Sequence, residues 1–139
     1  MKQHIRIVLG SVGLDFHDAG MKVFARFMRD AGFEVIYLGP RQTVERMVST
    51  ALQEDADIIG FSIYSGIYFD VAEETVALLR KENASDIKIV MGGIIPKQDV
   101  PALLEAGVAQ AFVSGEPLAN IADMLRGIAA SRESITNKE

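Results

Sequence analysis

The sequence predicts an α/β fold in which helices cover both faces of a parallel, five-stranded sheet. Short apolar runs rich in β-branched residues alternate five times with segments whose apolar residues recur at helical spacing. Parallel strands require crossover connections, which are usually helices and are right-handed. The chain has 139 residues, of which 49% are hydrophobic, and this suffices for one domain with its own core.

A long loop separates the first predicted strand from the first helix. Ile5–Leu9 is a short apolar run, and residues 10–20 are predicted as a loop. The helix that follows ends at Gly32, a residue type typical of helix C-termini. Its apolar stripe comprises Val23, Phe24, Phe27, Met28 and Ala31. Phe24, Phe27 and Met28 are predicted core residues.

A capped helix joins the second and third strands. Phe33–Leu38 is the second predicted strand, closed by Gly39-Pro40. Thr43 can cap the next helix because its hydroxyl can accept a hydrogen bond from the first turn. The apolar stripe of that helix comprises Val44, Met47, Val48, Ala51 and Leu52, and Asp57–Ile63 is the third strand.

The second half of the chain continues the alternation. The remaining predicted helices are Asp70–Glu82, Val100–Ala106 and Leu118–Ala130, and the remaining strands are Ile87–Met91 and Ala109–Val113. Gly92-Gly93 breaks the fourth strand, and Gly107 ends the short helix. We expect one domain over residues 1–130 and a polar, disordered tail over residues 131–139.

The carboxyl edge of this sheet is where a ligand is expected. The natural order for such a chain is 2-1-3-4-5, that of flavodoxin-like (Rossmann-like) three-layer sandwiches, whose ligands bind near the switch point between strands 1 and 3. The loops at this edge are rich in polar residues and glycines. They are Asp15-Phe16-His17-Asp18-Ala19-Gly20, Ser62-Ile63-Tyr64-Ser65-Gly66, Gly92-Gly93 and Ser114-Gly115-Glu116-Pro117.

Asp15 and His17 are candidates for a metal site, because a carboxylate can hold one imidazole nitrogen and leave the other free for a metal. Structural explanations exist beside this one. Asp15 or Asp18 could cap the first helix, and Ser62 could satisfy a backbone group at the strand end.

Composition and motifs exclude several classes of function. The chain has no cysteine, which excludes thiolate sites, and its net charge of −5 argues against nucleic acid or an anionic membrane as partner. No apolar run reaches the roughly 18 residues that span a bilayer, and the first residues do not resemble a cleaved signal, so a cytoplasmic location is expected. Neither G-x-G-x-x-G nor a P-loop is present, and the third strand lacks the aspartate of a phospho-receiver.

Three motifs in order carry a family resemblance. Asp15-x-His17-x-x-Gly20, Ser62-x-Tyr64 and Gly92-Gly93 closely resemble the signature D-x-H-x-x-G, S-x-L, G-G of cobalamin-binding domains. Each follows the expected strand, and the resemblance spans about residues 5–128. It implies a base-off, His-on site, in which the dimethylbenzimidazole of cobalamin leaves cobalt and a protein histidine replaces it.

The resemblance also implies a role for each candidate residue. His17 is the implied cobalt ligand, with Asp15 hydrogen-bonded to its other nitrogen. Ser62 is the implied partner of the displaced base and Tyr64 lines its pocket, while the glycines allow the nucleotide tail close to the backbone. The implied cofactor-binding set is Asp15, Phe16, His17, Asp18, Gly20, Ser62, Tyr64, Ser65, Gly66, Gly92, Gly93, Ser114 and Gly115.

Within the family, the segment from His17 to Val23 resembles the form found in acyl-CoA mutases. The resemblance therefore implies the small subunit of an adenosylcobalamin-dependent mutase, inactive without a larger acyl-CoA-binding barrel subunit. A G-protein chaperone of mutases is a further implied partner. A corrinoid methyl carrier and a non-catalytic cobalamin store, delivery protein or sensor remain as alternatives.

The sequence departs from the mutase pattern at four places. Ser11 stands where such mutases usually have lysine, Phe16 replaces glycine, and Tyr64 replaces leucine. Ser114-Gly115-Glu116 replaces a Gly-Pro-Gly turn. None of these changes removes the implied cobalt ligand.

Overall fold

The computed structural model describes residues 4–12 and 19–137 and has the predicted three-layer α/β architecture. Its five strands are all parallel and lie in the order β2-β1-β3-β4-β5, which confirms the predicted fold class and strand order. The strands are β1 (Arg6–Val12), β2 (Glu34–Gln42), β3 (Ile58–Ile63), β4 (Lys88–Gly93) and β5 (Gln110–Ala111). The helices are α1 (Ala19–Asp30), α2 (Val44–Gln53), α3 (Tyr68–Lys81), α4 (Val100–Ala106) and α5 (Leu118–Asn137).

Two buried clusters fill the spaces on either side of the sheet. Met47 of α2 and Leu79 of α3 pack with Ile59 of β3 in the first cluster. Met28 of α1 and Leu125 of α5 pack with Ile58, the neighbouring residue of β3, in the second. Successive residues of a strand point to opposite faces, so the continuous apolar runs of the sequence follow from a sheet covered on both sides.

The first two strands are longer than the sequence pattern predicted. β1 continues through Gly10 to Val12, and β2 continues through Gly39-Pro40 to Gln42. The pairing of the two strands shifts register on both sides of Gly10, and Gly39 has a φ of +85°. A proline is tolerated there because β2 is an edge strand, with no neighbour on its other side in the described sheet.

The observed helix ends differ less from the predicted ones than the ends of the first two strands do, with one exception. Thr43 caps α2 as predicted, since its hydroxyl accepts a hydrogen bond from the Arg46 N–H at 3.1 Å. The last helix was predicted to end at Ala130 and to be followed by a disordered tail. Instead α5 runs to Asn137, and Arg132 bonds to the carboxylates of Asp57 and Asp86. The end of this helix was predicted too early because the partners of Arg132 are distant in the sequence.

Predicted core methionines are fully buried, whereas Phe24 and Phe27 are only half-buried. Within the described residues, no helix has the length and apolarity that a membrane span requires.

Candidate functional site

A cavity of about 280 Å3 opens at the carboxyl edge of the sheet, beneath α1 and the start of α5. Parallel strands end together at this edge, so residues distant in sequence meet there. The lining residues are Leu9, Gly10, Gly20, Met21, Phe24, Gly60, Phe61, Ser62, Tyr64, Val90, Met91, Gly92, Gly93, Ile94, Phe112, Val113, Ser114, Gly115, Glu116, Leu118 and Ile121.

Small residues on two neighbouring strands form the floor of this cavity. Ile58 and Val90 belong to the buried cluster beneath α1 and α5. The next residues on the same face are Gly60 and Ser62 of β3 and Gly92 of β4, since side chains alternate along a strand. Ser62 lies opposite Gly92 in the ladder. The apolar core therefore gives way to open space where the strands end.

The two glycines at the end of β4 have different roles. A Cβ on Gly92 would have no neighbouring atom within 4 Å, so this position faces open space. Gly93 has a φ of +117°, and a Cβ there would lie 2.2 Å from the carbonyl oxygen of Ile63. Gly93 is thus required by the backbone turn, whereas Gly92 provides the opening.

A hydrogen bond from the neighbouring strand β1 holds the backbone of Ser62. The hydroxyl of Ser11 donates a hydrogen bond of 2.7 Å to the Ser62 carbonyl oxygen, and Ser11 is completely buried. Tyr64, two residues further along, extends its ring toward the first turn of α1. Its hydroxyl oxygen lies 3.7 Å from the place a Cβ on Gly20 would take.

The same edge is closed on the opposite face of the sheet. Tyr68, at the start of α3, donates a 2.6 Å hydrogen bond to Asp99, which precedes α4. This hydrogen bond, with burial and the carboxylate charge, raises the pKa of Tyr68 above its ordinary value. The open and the closed part of the carboxyl edge therefore lie on different faces.

The structure brings seven of the predicted cofactor-binding residues to the cavity wall: Gly20, Ser62, Tyr64, Gly92, Gly93, Ser114 and Gly115. Ser65 and Gly66 do not line it and are exposed in the turn before α3. Asp15, Phe16, His17 and Asp18 lie outside the described residues. Gly10, Gly20 and Met21, which flank that segment in the sequence, all line the cavity.

Sequence reasoning missed much of the apolar wall. Phe24, predicted as a core residue, lines the cavity instead, as do Phe112 of the β5 end and Ile121 of α5. Gly60 carried a detectable signal, because a glycine inside a buried strand often marks a close approach by a ligand or another backbone. Here a Cβ would lie 2.6 Å from the Leu9 side chain.

The site matches the tail of a cobalamin in size and chemistry. The cavity is too small for a corrin ring but can admit a heterocyclic base on a flexible tail. Its wall is mainly apolar, and Ser62, Tyr64 and Ser114 add hydroxyl groups that can hydrogen-bond to ring nitrogens. Among residues 4–12 and 19–137, no group of three histidine or carboxylate side chains could hold a metal ion.

Comparison with known proteins gives consistent matches. The B12 binding domain model matches residues 5–122. The chain is 41% identical over 128 residues to the 2-hydroxyisobutanoyl-CoA mutase small subunit of Aquincola tertiaricarbonis, covering 92% of this chain and 94% of that protein. It is 37% identical over 111 residues to the pivalyl-CoA mutase small subunit of Xanthobacter autotrophicus, covering 80% of this chain and 74% of that protein.

A solved structure supports the same assignment. The crystal structure of a cobalamin-binding protein from Desulfitobacterium hafniense DCB-2 superposes with a TM-score of 0.75 at 26% identity, covering 89% of this chain and 58% of that one. The family resemblance predicted from the three motifs is confirmed. The chain belongs to the B12-binding domain family and groups with the small subunits of acyl-CoA mutases.

Proposed function

We propose that this chain holds adenosylcobalamin in base-off, His-on form for an acyl-CoA mutase, with His17 as the cobalt ligand. The observation that carries the proposal is the cavity at the carboxyl edge, with Ser62 and Gly92 at its floor. Gly10 and Gly20, on either side of the His17 segment in the sequence, both border this cavity. A cofactor tail in the cavity would therefore start beside the segment that supplies the ligand.

The His17 segment would hold the cobalt side of the cofactor. A neutral imidazole nitrogen of His17 would bind the metal, and Asp15 would accept a hydrogen bond from the other nitrogen, which would fix the tautomer and raise ligand basicity. Phe16 and Asp18 flank the ligand and would contact the corrin. Because the imidazole must be neutral to bind, acidic solution opposes this ligation.

The cavity would hold the displaced base and its tail. The Ser62 hydroxyl donates to the free ring nitrogen of the base, and Tyr64 packs along it. Gly92 leaves room for the tail at the strand end, and Ser114 and Gly115 border its far side. Burying the base here excludes it from cobalt and so favours His17 as the ligand.

Catalysis requires a second component. When bound, adenosylcobalamin would supply the radical chemistry that abstracts a hydrogen atom from the substrate, and the protein would position the cofactor for it. The cavity is too small for both a nucleotide tail and an acyl-CoA. A larger barrel subunit would cover the corrin and bind a short, branched or hydroxylated acyl-CoA, and a G-protein chaperone would attend cofactor loading.

Electron paramagnetic resonance of bound cob(II)alamin tests the ligand directly. The chain has two histidines, His4 and His17, and His4 is exposed at the amino end of β1. With protein labelled with ¹⁵N at histidine, the nitrogen splitting should change, and this dependence on the label should disappear in His17→Ala. His4→Ala is the matched control and should keep it. A splitting that ignores the label in the wild-type chain, or a label dependence that survives in His17→Ala, would refute the proposed ligand.

The need for a partner is tested by reconstitution. The chain loaded with adenosylcobalamin should not rearrange 2-hydroxyisobutanoyl-CoA or pivalyl-CoA by itself. Adding the large subunit of a mutase for either substrate should produce turnover that depends on the concentration of this chain. Turnover by the chain alone, or none with either large subunit, would contradict the two-subunit proposal.

A further inference from the structure

The end of β1 separates from β3 at the point where the cavity begins. The ladder between these strands runs from Ile7, opposite Ile58, to its last pair, Gly10 opposite Phe61. Beyond that pair, β1 follows β2, against which its register shifts on both sides of Gly10. The switch point between β1 and β3 therefore lacks a regular backbone ladder at the level of Ser62.

One side-chain hydrogen bond spans this gap. Ser11 would come next in the ladder, and its hydroxyl donates to the Ser62 carbonyl oxygen at 2.7 Å. Ser11 is completely buried and Ser62 is partly buried, so water does not compete for the Ser11 donor. Ser11 does not line the cavity, whereas Ser62 does. The hydrogen bond that the structure shows thus connects Ser11 to the cavity through the position of Ser62.

We propose that Ser11 is a positioning residue for cofactor binding: its buried hydroxyl fixes the end of β3 so that the Ser62 hydroxyl faces the nucleotide tail. This proposal rests on the proposed function of the cavity. Ser62 is also held by β4, opposite Gly92. Ser11 supplies the support on the other side of β3. Without it, Ser62 keeps its fold contacts but loses the constraint that aims its side chain.

A purely structural role would give a different result from a positioning role. Thr75 provides the comparison, because it is also completely buried and its hydroxyl donates a 2.7 Å hydrogen bond to a carbonyl oxygen, that of Val71. That bond lies within α3, away from the cavity lining. Thr75→Val and Ser11→Ala thus remove comparable bonds from two places.

The test compares the affinities of two corrinoids, measured by absorbance titration of the full chain. Cobalamin carries the nucleotide tail, and cobinamide lacks it. Ser11→Ala should weaken cobalamin binding about five- to tenfold, the effect of one net hydrogen bond, and leave cobinamide binding within about twofold. Thr75→Val should change neither affinity.

A double-mutant cycle tests whether Ser11 affects cobalamin affinity through the Ser62 hydroxyl. In a Ser62→Ala background there is no hydroxyl left to aim, so adding Ser11→Ala should change cobalamin affinity by less than about twofold. Ser11→Cys keeps the size of the side chain but is a weaker donor, and it should give an intermediate loss. This variant serves if Ser11→Ala does not fold.

Three results would overturn the positioning role while the wild-type chain still prefers cobalamin to cobinamide. The first is an equal loss of affinity for cobalamin and for cobinamide in Ser11→Ala. The second is a loss of cobalamin affinity on adding Ser11→Ala to Ser62→Ala that is as large as the loss in the wild-type background. The third is a loss of cobalamin affinity in Thr75→Val as large as that in Ser11→Ala. A wild-type chain that binds cobinamide as tightly as cobalamin would overturn the tail cavity itself, and the role of Ser11 with it.

Discussion

The two edges of the parallel sheet are built in opposite ways. At the amino edge, charged side chains satisfy one another around Arg132, which bonds to Asp57 at 2.7 Å, Asp86 at 2.9 Å and Asp55 at 3.0 Å. Asp57 also accepts a hydrogen bond from the Arg6 N–H at 2.9 Å. At the carboxyl edge, glycines and hydroxyl side chains surround a cavity instead.

The difference separates residues that stabilise the fold from residues that bind. Burial disfavours the charge on Arg132, but the hydrogen bonds that it donates to Asp55, Asp86 and Asp57 outweigh this effect and raise the pKa of the guanidinium above its ordinary value. The polar groups of the amino edge thus have their partners within the chain. Substitutions there should change the free energy of unfolding, whereas substitutions at the cavity should change ligand affinity.

Arg132→Met should have the largest effect on stability. The Asp57 side chain is only 4% exposed, and losing the cation leaves a buried carboxylate without its ionic partner. Breaking such a pair costs about 3 kcal/mol or more. Urea unfolding followed by circular dichroism should show this loss, and the folded variant should bind cobalamin with unchanged affinity.

Arg126→Met is the matched control for that variant, since both residues lie in α5. Arg126 pairs with Asp123, whose side chain is 77% exposed, and donates a 2.9 Å hydrogen bond to the Ala31 carbonyl oxygen. Exposed pairs contribute about 0–1 kcal/mol and a hydrogen bond about 1 kcal/mol, so this variant should lose less stability than Arg132→Met. If Arg132→Met and Arg126→Met lowered the free energy of unfolding equally, the buried ion pairs of the amino edge would not stabilise the fold more than an exposed pair does.

Gly92→Val should have the opposite signature, with the fold kept and binding impaired. The position faces open space within the cavity, so the Cβ of the new side chain meets no protein atom within 4 Å, but the side chain would collide with a bound tail. Overpacking typically costs about 1–3 kcal/mol, which predicts a loss of cobalamin affinity of about 10- to 100-fold. Isothermal titration calorimetry would measure it, and the unfolding midpoint should stay near that of the wild type.

Gly93→Val is the contrasting variant one residue away. Its side chain would strike the Ile63 backbone, and its φ of +117° is strained for valine. Gly93→Val should therefore lower the free energy of unfolding by about 1–3 kcal/mol or more.

Normal cobalamin affinity in Gly92→Val would show that the tail does not pass this strand end.

Local patterns account for what the sequence predicted well. Five apolar runs alternating with amphipathic segments predict a parallel sheet covered by helices, and the order 2-1-3-4-5 is the natural one for a chain of this size. Thr43 was predictable as a cap because it needs only the next three residues. Ser62 and Gly92 were predictable because each lies in a recognisable motif at the end of its strand, one residue before the last.

Long-range contacts account for what the sequence could not show. Arg132 and Asp57 are 75 positions apart, and nothing near Arg132 marks it as more than a polar tail residue. Ser11 was predicted to lie in a loop, yet the register shift of β1 extends the strand and buries it. The contrast between Gly92 and Gly93 depends on the backbone of β3, which no local pattern encodes.

Tyr68→Phe should have the smallest effect and sharpens the comparison within the carboxyl edge. Tyr68 is buried and bonds to Asp99 on the closed face of this edge, so its role should be structural. The folded-state pKa of Tyr68 is raised. The stabilisation is therefore fully present below the unfolded tyrosine pKa of about 10 and is lost as the pH rises through the folded-state value.

Thermal unfolding from pH 7 to pH 11 would measure this dependence. The melting temperature of Tyr68→Phe should lie slightly below that of the wild type at neutral pH, and the two should converge in strongly alkaline solution. Asp99→Asn is the control, since it keeps an oxygen acceptor but removes the charge that opposes tyrosine ionisation. Cobalamin affinity should be unchanged in both variants at neutral pH, because neither residue lines the cavity. A loss of affinity in Tyr68→Phe would mean that the closed face also contributes to binding, and the division of this edge by face would then fail.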